Sequence, residues 1–259
     1  MSPGSTPPVV LTIAGTDSGG AAGIAADLTT IADLGAHGAC VVAAVTAQDT
    51  TGVRAVHRVP PPVVSAQLDA VLEDLPVSGL KTGMLGSAEV VALVAERLAG
   101  MPFPVVVDPV LTASSGAVLG DDDVVRAYVE RLLPVATAVT PNLDEARALA
   151  GADGPPEALA RIIAGYGPAV VLTGGTSAGT CTDWVVVPGR PAEAHTHAAV
   201  ETRNDHGTGC TFSAAVAVHL AHGVPLTVAA RRAATYTAAQ LRLSQHWTLG
   251  RGRGPIAHT

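Results

Sequence analysis

The sequence predicts an α/β fold, in which a mostly parallel central sheet is covered by helices on both faces. Short β-branched segments alternate with helical patterns along almost the whole 259-residue chain, without an internal repeat or low-complexity block. Most strand-like segments end in a glycine-rich or polar turn, as expected where a parallel strand leads into a helix. Apolar residues make up 48% of the chain and aromatic residues only 3%, which favours closely packed helices on a sheet over an aromatic-rich β-sandwich.

Each element is predicted from its apolar period and from the residues that end it. Buried strands are predicted where a short apolar run stops at glycine, proline or a polar side chain, at residues 9–14, 40–46, 105–107, 136–140, 169–173 and a run ending within 80–86. Helices are predicted after residue 23, at 60–75, from Ser87 to Leu98, after 121–123, from the glycine turn at 207–209 to about 222, and at 225–243. Residues 182–187 and 193–198 read as a hairpin around Pro188-Gly189.

Composition limits the class of protein. Residues 1–8 are short, polar and proline-rich and are predicted to be a disordered tail before a single domain at 9–259. The formal charge of −7, with scattered basic residues, argues against nucleic acid or an anionic membrane as partner. No apolar run reaches the ~18 residues of a membrane span. Three cysteines without metal-site spacing or a signal peptide predict a reducing, cytoplasmic location.

The turn Gly207-Thr208-Gly209-Cys210 carries the clearest chemical signal. Glycines allow a tight turn, and the apolar helix pattern that follows provides unpaired N–H groups at its start, which together favour an anion such as phosphate. Cys210 lies at the same helix start, where a thiol pKa is expected to fall. The alternative is a plain strand-to-helix connection in which the glycines serve only the turn.

Other polar residues also follow strands, so they are expected at the same sheet edge. Asp108 follows a buried strand, and Gln48, in a loop after the second strand, has both a donor and an acceptor. Asn142 and Glu145 share a helical face and are alternatively an N-cap and its capping-box acid. His195 and His197 share a strand face, but no third ligand is evident and a metal site there is disfavoured.

Seven motifs in chain order resemble those of the ribokinase-like kinases of vitamin metabolism, and most closely the hydroxymethylpyrimidine/phosphomethylpyrimidine kinases of thiamine biosynthesis. They are TIAGTDSGGAAGIAADL at 12–28, TAQDTTGV at 46–53, KTGML at 81–85, VDPV at 107–110, TPNLDEA at 140–146, HGTGCTFSAA at 206–215 and LGRGRGP at 249–255. The resemblance implies a ribokinase-like three-layer sandwich, often dimeric. It also implies transfer of the γ-phosphoryl group of magnesium-bound ATP to an aminopyrimidine hydroxymethyl group and then to the monophosphate.

The resemblance also assigns roles to individual residues. Gly207, Gly209 and the Cys210 amide look like an anion hole, with Cys210 as the base. The expected pyrimidine contacts are Asp27, Gln48, Ala22, Met84 and Val110. Those expected to serve ATP and its phosphates are Asp108, Asn142, Glu145, Thr173 and Thr208, with Asp108 and Glu145 also serving Mg²⁺.

Several positions depart from the family pattern, which commonly has glycine at Ala21, glutamine at Ala25, lysine at Thr173 and histidine at Thr176. The lysine would have placed positive charge near the phosphates, and Lys81 or Arg203 are the candidate replacements. These departures leave two alternatives open: a pyridoxal-type kinase, and a catalytically weakened, pyrimidine-binding relative. A nicotinamide oxidoreductase is disfavoured by the glycine spacing.

Overall fold

A single nine-stranded sheet runs through the part of the chain that the structure describes, in the order β3-β2-β1-β4-β5-β6-β7-β8-β9. The computed structural model describes residues 6–112, 116 and 119–258. The strands are β1 (Val9–Gly15), β2 (His37–Asp49), β3 (Gly52–Arg58), β4 (Val77–Thr82), β5 (Val105–Val107), β6 (Ala138–Val139), β7 (Ala169–Ser177), β8 (Thr180–Val186) and β9 (Glu193–Ala198).

Eight α-helices accompany these strands in the described ranges. They are α1 (Gly23–Asp33), α2 (Pro61–Asp74), α3 (Ala88–Leu98), α4 (Asp122–Ala127), α5 (Leu143–Ala150), α6 (Pro156–Ala164), α7 (Thr208–Ala221) and α8 (Leu226–Ser244). The Ser87 hydroxyl caps α3 by accepting the Val90 N–H, and the Asp121 carboxylate caps α4 by accepting the Val124 N–H. Within the described residues, no helix is long and apolar enough to cross a membrane.

The sheet is parallel from β2 through β7 and antiparallel at both ends. Successive side chains alternate between its faces. On β1, Val9, Leu11 and Ile13 pack with the core that includes α2 to α6, whereas Val10 packs with the core that includes α1, α7 and α8. Helices therefore cover both faces of a mostly parallel sheet, and the predicted three-layer α/β fold is confirmed.

Two local predictions need correction. Strand β3 was not predicted, because its residues are mostly exposed and the segment lacks a buried apolar face; it is held by antiparallel pairing with β2. Gln48 lies on β2 and not in a loop, since that strand continues to Asp49. Residues 1–5 of the predicted disordered tail lie outside the described residues, while the Pro8 carbonyl accepts the His37 N–H at 2.9 Å.

A charged group is enclosed between the sheet and the α1–α7 layer. Lys81 on β4 and Asp27 on α1 are both fully buried, and the Lys81 Nζ lies 2.9 and 3.0 Å from the two Asp27 oxygens. The Thr12 hydroxyl donates to Asp27 at 2.6 Å, and Asp108 Oδ2 lies 3.4 Å from Lys81 Nζ. Burial opposes the charge of Lys81, but the attraction of Asp27, Cys210 and Asp108 outweighs it and raises the Lys81 pKa above its usual value.

We predict that Lys81→Met destabilises the protein by about 3–5 kcal/mol, because it leaves Asp27 buried without its cation. Adding Asp27→Leu is expected to recover part of that loss, since the unpaired charge is then removed. Arg161→Met is the matched control: its partner Glu157 is on the same exposed helix face, and its loss is expected to cost less than about 1 kcal/mol. Urea unfolding measures all three, and equal costs for Lys81→Met and Arg161→Met would contradict the prediction.

Candidate active site

The carboxyl ends of the parallel strands surround a cavity, and most of the predicted site residues line it. We call it the inner cavity; Gln48, Met84, Asp108, Glu145 and Cys210 mark its walls. The predicted residues that line it are Ala22, Gln48, Met84, Asp108, Val110, Asn142, Glu145, Thr173, Gly207, Gly209 and Cys210. Parallel strands place their carboxyl ends on one edge, which explains how residues so far apart in sequence converge.

A second depression adjoins the first. This outer groove is marked by Asp183, His197, Thr208 and Arg253. Three residues, Asn142, Thr173 and Gly209, line both spaces. The two spaces therefore form one cleft, with the start of α7 at their junction.

The start of α7 is shaped by Gly207. Its φ of 95° is in the left-handed region, and a Cβ there would lie 1.8 Å from the Ala21 carbonyl oxygen, so only glycine fits. The N–H groups of Thr208 and Thr211 donate to Asp205 and Gly207 carbonyls at 3.2 and 2.9 Å.

By contrast, the backbone amides of Gly209 and Cys210 face no acceptor within the described part of the chain. These are two of the first N–H groups of a 14-residue helix, which have no intrahelical acceptor. Together with the helix dipole, these two amides are able to bind an anion where the inner cavity and the outer groove meet.

Cys210 is half-buried and lines the inner cavity, but its ionisation differs from the sequence-based expectation. Burial raises the pKa of its thiol to about 12, and the attraction of Lys81 and a hydrogen bond from the Gly23 amide only partly offset this. The expected fall in pKa at a helix start is therefore wrong. Desolvation of the sulfur exceeds the attraction of Lys81, and Cys210 is a neutral thiol at pH 7.

Two carboxylates face the same space. Asp108 is 4% exposed and accepts a hydrogen bond from the Ser213 hydroxyl at 2.9 Å. Glu145 forms a capping box with Asn142: each backbone N–H donates to the other's side-chain oxygen at 2.9 Å. The predicted roles of Asn142 as N-cap and Glu145 as capping-box acid are confirmed, and both residues also line the inner cavity. Burial, with repulsion from Asp108, raises the pKa of Glu145 to about 8, so a cation between these carboxylates would be stabilised.

Sequence reasoning missed two residues of the inner cavity, Asp17 and His206, although both lie in the motifs that were singled out. The Asp17 carboxylate accepts N–H groups from Gly19, Ala21 and Ala22 at 2.8, 3.1 and 3.0 Å. It also lies 3.0 Å from His206 Nε2. Burial works to raise the pKa of Asp17, but these hydrogen bonds outweigh it and lower that pKa. An aspartate two residues before paired glycines was the available signal for such a turn.

The histidine in turn orients Gln48. His206 Nε2 lies 2.8 Å from the Gln48 amide nitrogen and 3.0 Å from Asp17. Because Asp17 is ionised, a hydrogen of His206 lies on Nε2, and the Gln48 side chain is oriented with its oxygen, not its nitrogen, towards that hydrogen. The Gln48 NH₂ group is then turned away from His206 and is available to an acceptor in the cavity.

Other predicted residues lie elsewhere. Asp27 does not line the inner cavity, because its carboxylate is fully buried and bonded to Lys81 and Thr12; a direct contact with a ligand is therefore not supported. Thr208 lines the outer groove, and its hydroxyl donates to the Asp205 carbonyl at 2.6 Å. Of the proposed replacement cations, Lys81 is enclosed beneath the cavity and Arg203 is exposed and lines neither space.

The sequence matches a family model described as phosphomethylpyrimidine kinase, over residues 17–257. A hydroxymethylpyrimidine/phosphomethylpyrimidine kinase of Rhizobium meliloti is 45% identical over 256 residues, covering 96% of each chain.

Solved structures agree with the sequence match. A Clostridium difficile phosphomethylpyrimidine kinase superposes with a TM-score of 0.78 at 32% identity, covering 90% of this chain and 98% of that one. A Staphylococcus aureus pyridoxal kinase in complex with AMP-PCP and pyridoxal superposes with a TM-score of 0.87 at 30% identity, covering 98% and 94%. The ribokinase-like resemblance inferred from the motifs is confirmed, and the chain belongs to the phosphomethylpyrimidine kinase family.

Proposed function

We propose that this protein is an ATP-dependent kinase that phosphorylates 4-amino-5-hydroxymethyl-2-methylpyrimidine, and then its monophosphate, for thiamine biosynthesis. One observation carries the proposal: the free amides of Gly209 and Cys210 lie at the junction of two connected spaces. A phosphoryl group held there would be accessible from both sides. Family membership supports the same reaction, and relatives with this fold bind an ATP analogue and an aromatic vitamin.

The inner cavity suits the pyrimidine. Met84, Val110 and Ala22 provide apolar walls, and the Gln48 NH₂ group provides a donor fixed by His206. An acceptor nitrogen of the ring would bind that donor, whose position is set by the Asp17–His206 pair. Asp27 acts at a distance in this proposal, by holding Lys81 beneath the cavity and not by touching the ring.

The outer groove suits the nucleotide, with Asn142, Thr173 and Thr208 near its phosphates. Mg²⁺ prefers oxygen ligands and shields phosphate charge, and the Asp108 and Glu145 carboxylates fit it because they repel one another across the cavity. Phosphoryl transfer depends mainly on positioning and on charge stabilisation. One well-placed anion-hole donor is typically worth about 3–4 kcal/mol, so the two amides are the main catalytic element of the chain.

The acceptor hydroxyl also has a base beside it. As its oxygen bonds to the γ-phosphorus and the bond to ADP breaks, the hydroxyl proton passes to the Cys210 thiolate. Burial keeps most of the thiol protonated near pH 7, so the reactive fraction is small and increases tenfold with each pH unit. Because the pKa of the thiol is high, the thiolate that does form is a strong base.

A coupled ATPase assay with three acceptors tests the function. We expect turnover with hydroxymethylpyrimidine and with its monophosphate, and a kcat/KM for pyridoxal lower than that for hydroxymethylpyrimidine. A higher kcat/KM for pyridoxal would favour the pyridoxal-type alternative, and tight pyrimidine binding without ADP release would favour the weakened relative with Thr173 in place of lysine. Mass spectrometry of the products distinguishes one phosphorylation from two.

Substitution of Cys210 tests the base. We expect Cys210→Ala to lower kcat at least ~100-fold with little change in pyrimidine affinity, because the side chain acts on the reacting proton and not on the ring. Cys210→Asp, which keeps a proton acceptor, should retain more activity than Cys210→Ala. Wild-type kcat should rise between pH 6 and pH 8, and this rise should be absent in Cys210→Ala. Near-wild-type turnover of Cys210→Ala would exclude the assignment.

A further inference from the structure

Three side chains that can bind metals converge on the outer groove, away from Asp108 and Glu145. They are Cys181 and Asp183 on β8 and His197 on β9, and one ligand atom from each lies within 4.8 Å of the others. Cys181 and His197 are directly paired across the two strands. Cys181 and Asp183 are two residues apart and therefore share a sheet face, so the register of this hairpin brings the three together. All three line the outer groove.

The distances suit a small divalent ion. Cys181 Sγ lies 4.0 Å from Asp183 Oδ1, and His197 Nε2 lies 3.2 Å from Asp183 Oδ2. Zinc bonds of about 2.0–2.3 Å in a tetrahedral site separate the ligand atoms by roughly 3.3–3.8 Å. Side-chain shifts of less than about 1 Å would therefore give three ligands, leaving a fourth position open to the groove.

The surroundings of His197 orient it for such an ion. Its Nδ1 lies 3.3 Å from the Ala198 carbonyl oxygen, and its Nε2 lies 3.2 Å from the Asp183 carboxylate. In the tautomer that donates Nδ1–H to Ala198, the Nε2 lone pair faces the carboxylate, and a metal ion bound by both atoms would take the place of the shared proton. A carbonyl behind the imidazole is the usual support of a metal-bound histidine. Asp183 is itself 4% exposed and accepts the Gly174 N–H at 3.4 Å, which fixes it from behind.

We propose that Cys181, Asp183 and His197 form a binding site for one thiophilic divalent metal ion of the Zn²⁺ class, on the wall of the outer groove. The donor set of one sulfur, one imidazole nitrogen and one carboxylate oxygen selects Zn²⁺, Co²⁺ or Cd²⁺ over Mg²⁺, which prefers oxygen alone. The site is thereby distinct from the Asp108–Glu145 pair. Binding releases the thiol proton of Cys181, and the thiolate and carboxylate balance the charge of the ion.

Titration with Co²⁺ tests the site, because thiolate–Co²⁺ charge transfer gives a near-ultraviolet band that oxygen ligands do not give. We expect one equivalent of Co²⁺ to produce that band in the wild type, and millimolar Mg²⁺ to leave it unchanged. Cys181→Ser should abolish the band, and His197→Ala should weaken Co²⁺ binding at least ~10-fold, since even an outer-shell partner of a ligand contributes that much. His57→Ala, on the exposed strand β3 at the opposite edge of the sheet, is the matched control and should bind as the wild type does.

A second measurement needs no variant. Cd²⁺ should protect Cys181 from alkylation in the intact protein while leaving Cys40 unprotected, as shown by peptide mass spectrometry. The proposal is overturned if the wild type gives no thiolate–Co²⁺ band, if the band persists in Cys181→Ser, if Mg²⁺ displaces the ion, or if Cys181 is not protected. Neither measurement depends on kinase turnover, so a negative result for metal binding can be distinguished from a negative result for the proposed kinase reaction.

Discussion

The buried cation of Lys81 is the interaction on which the organisation of this cleft depends. Its ammonium group lies between Asp27 of α1 and Asp108 after β5, at 2.9 and 3.4 Å, with no exposure to solvent. Two carboxylates could not remain charged in this interior without it. The pair thus ties α1 to the sheet, while Asp108 is left facing the cavity with one side bonded to Ser213. The same residues, Lys81 and Asp108, therefore belong both to the buried core and to the site.

Local stabilising devices are reused in the same way elsewhere in the cleft. The capping box of Asn142 and Glu145 satisfies free N–H groups at the start of α5 and also presents a carboxyl group to the inner cavity. Gly207 avoids the Ala21 carbonyl and so allows α7 to begin at the cleft, where the Gly209 and Cys210 amides have no acceptors among the described residues. Asp17 closes its own glycine turn and also fixes His206 and, through it, Gln48. Each of these motifs therefore stabilises the fold and shapes the cleft at the same time.

Much of the fold and of the site could be predicted from the sequence, because the patterns that indicate them involve residues close together in the chain. Buried β-branched runs, Ser87 as an N-cap and the glycine turn before α7 depend on neighbouring residues alone. Strand β3 could not be found this way, since its exposed residues are held by pairing with β2. The burial of Asp27 depends on packing against Lys81, on a strand far away in sequence, and the high pKa of Cys210 depends on how the folded chain buries the sulfur. The Cys181, Asp183 and His197 cluster requires the register of β8 with β9, which no spacing along one strand reveals.

At Cys210, desolvation of the sulfur outweighs the attraction of Lys81, so the thiol stays protonated while Lys81 neutralises the carboxylates around it. The most direct test is the rate at which iodoacetamide alkylates Cys210 between pH 7 and pH 10, followed by peptide mass spectrometry. With a thiol pKa of about 12, the logarithm of that rate should rise with unit slope across the whole range, without a plateau. A plateau beginning below pH 8 would show that Cys210 is already a thiolate and that burial does not control its ionisation.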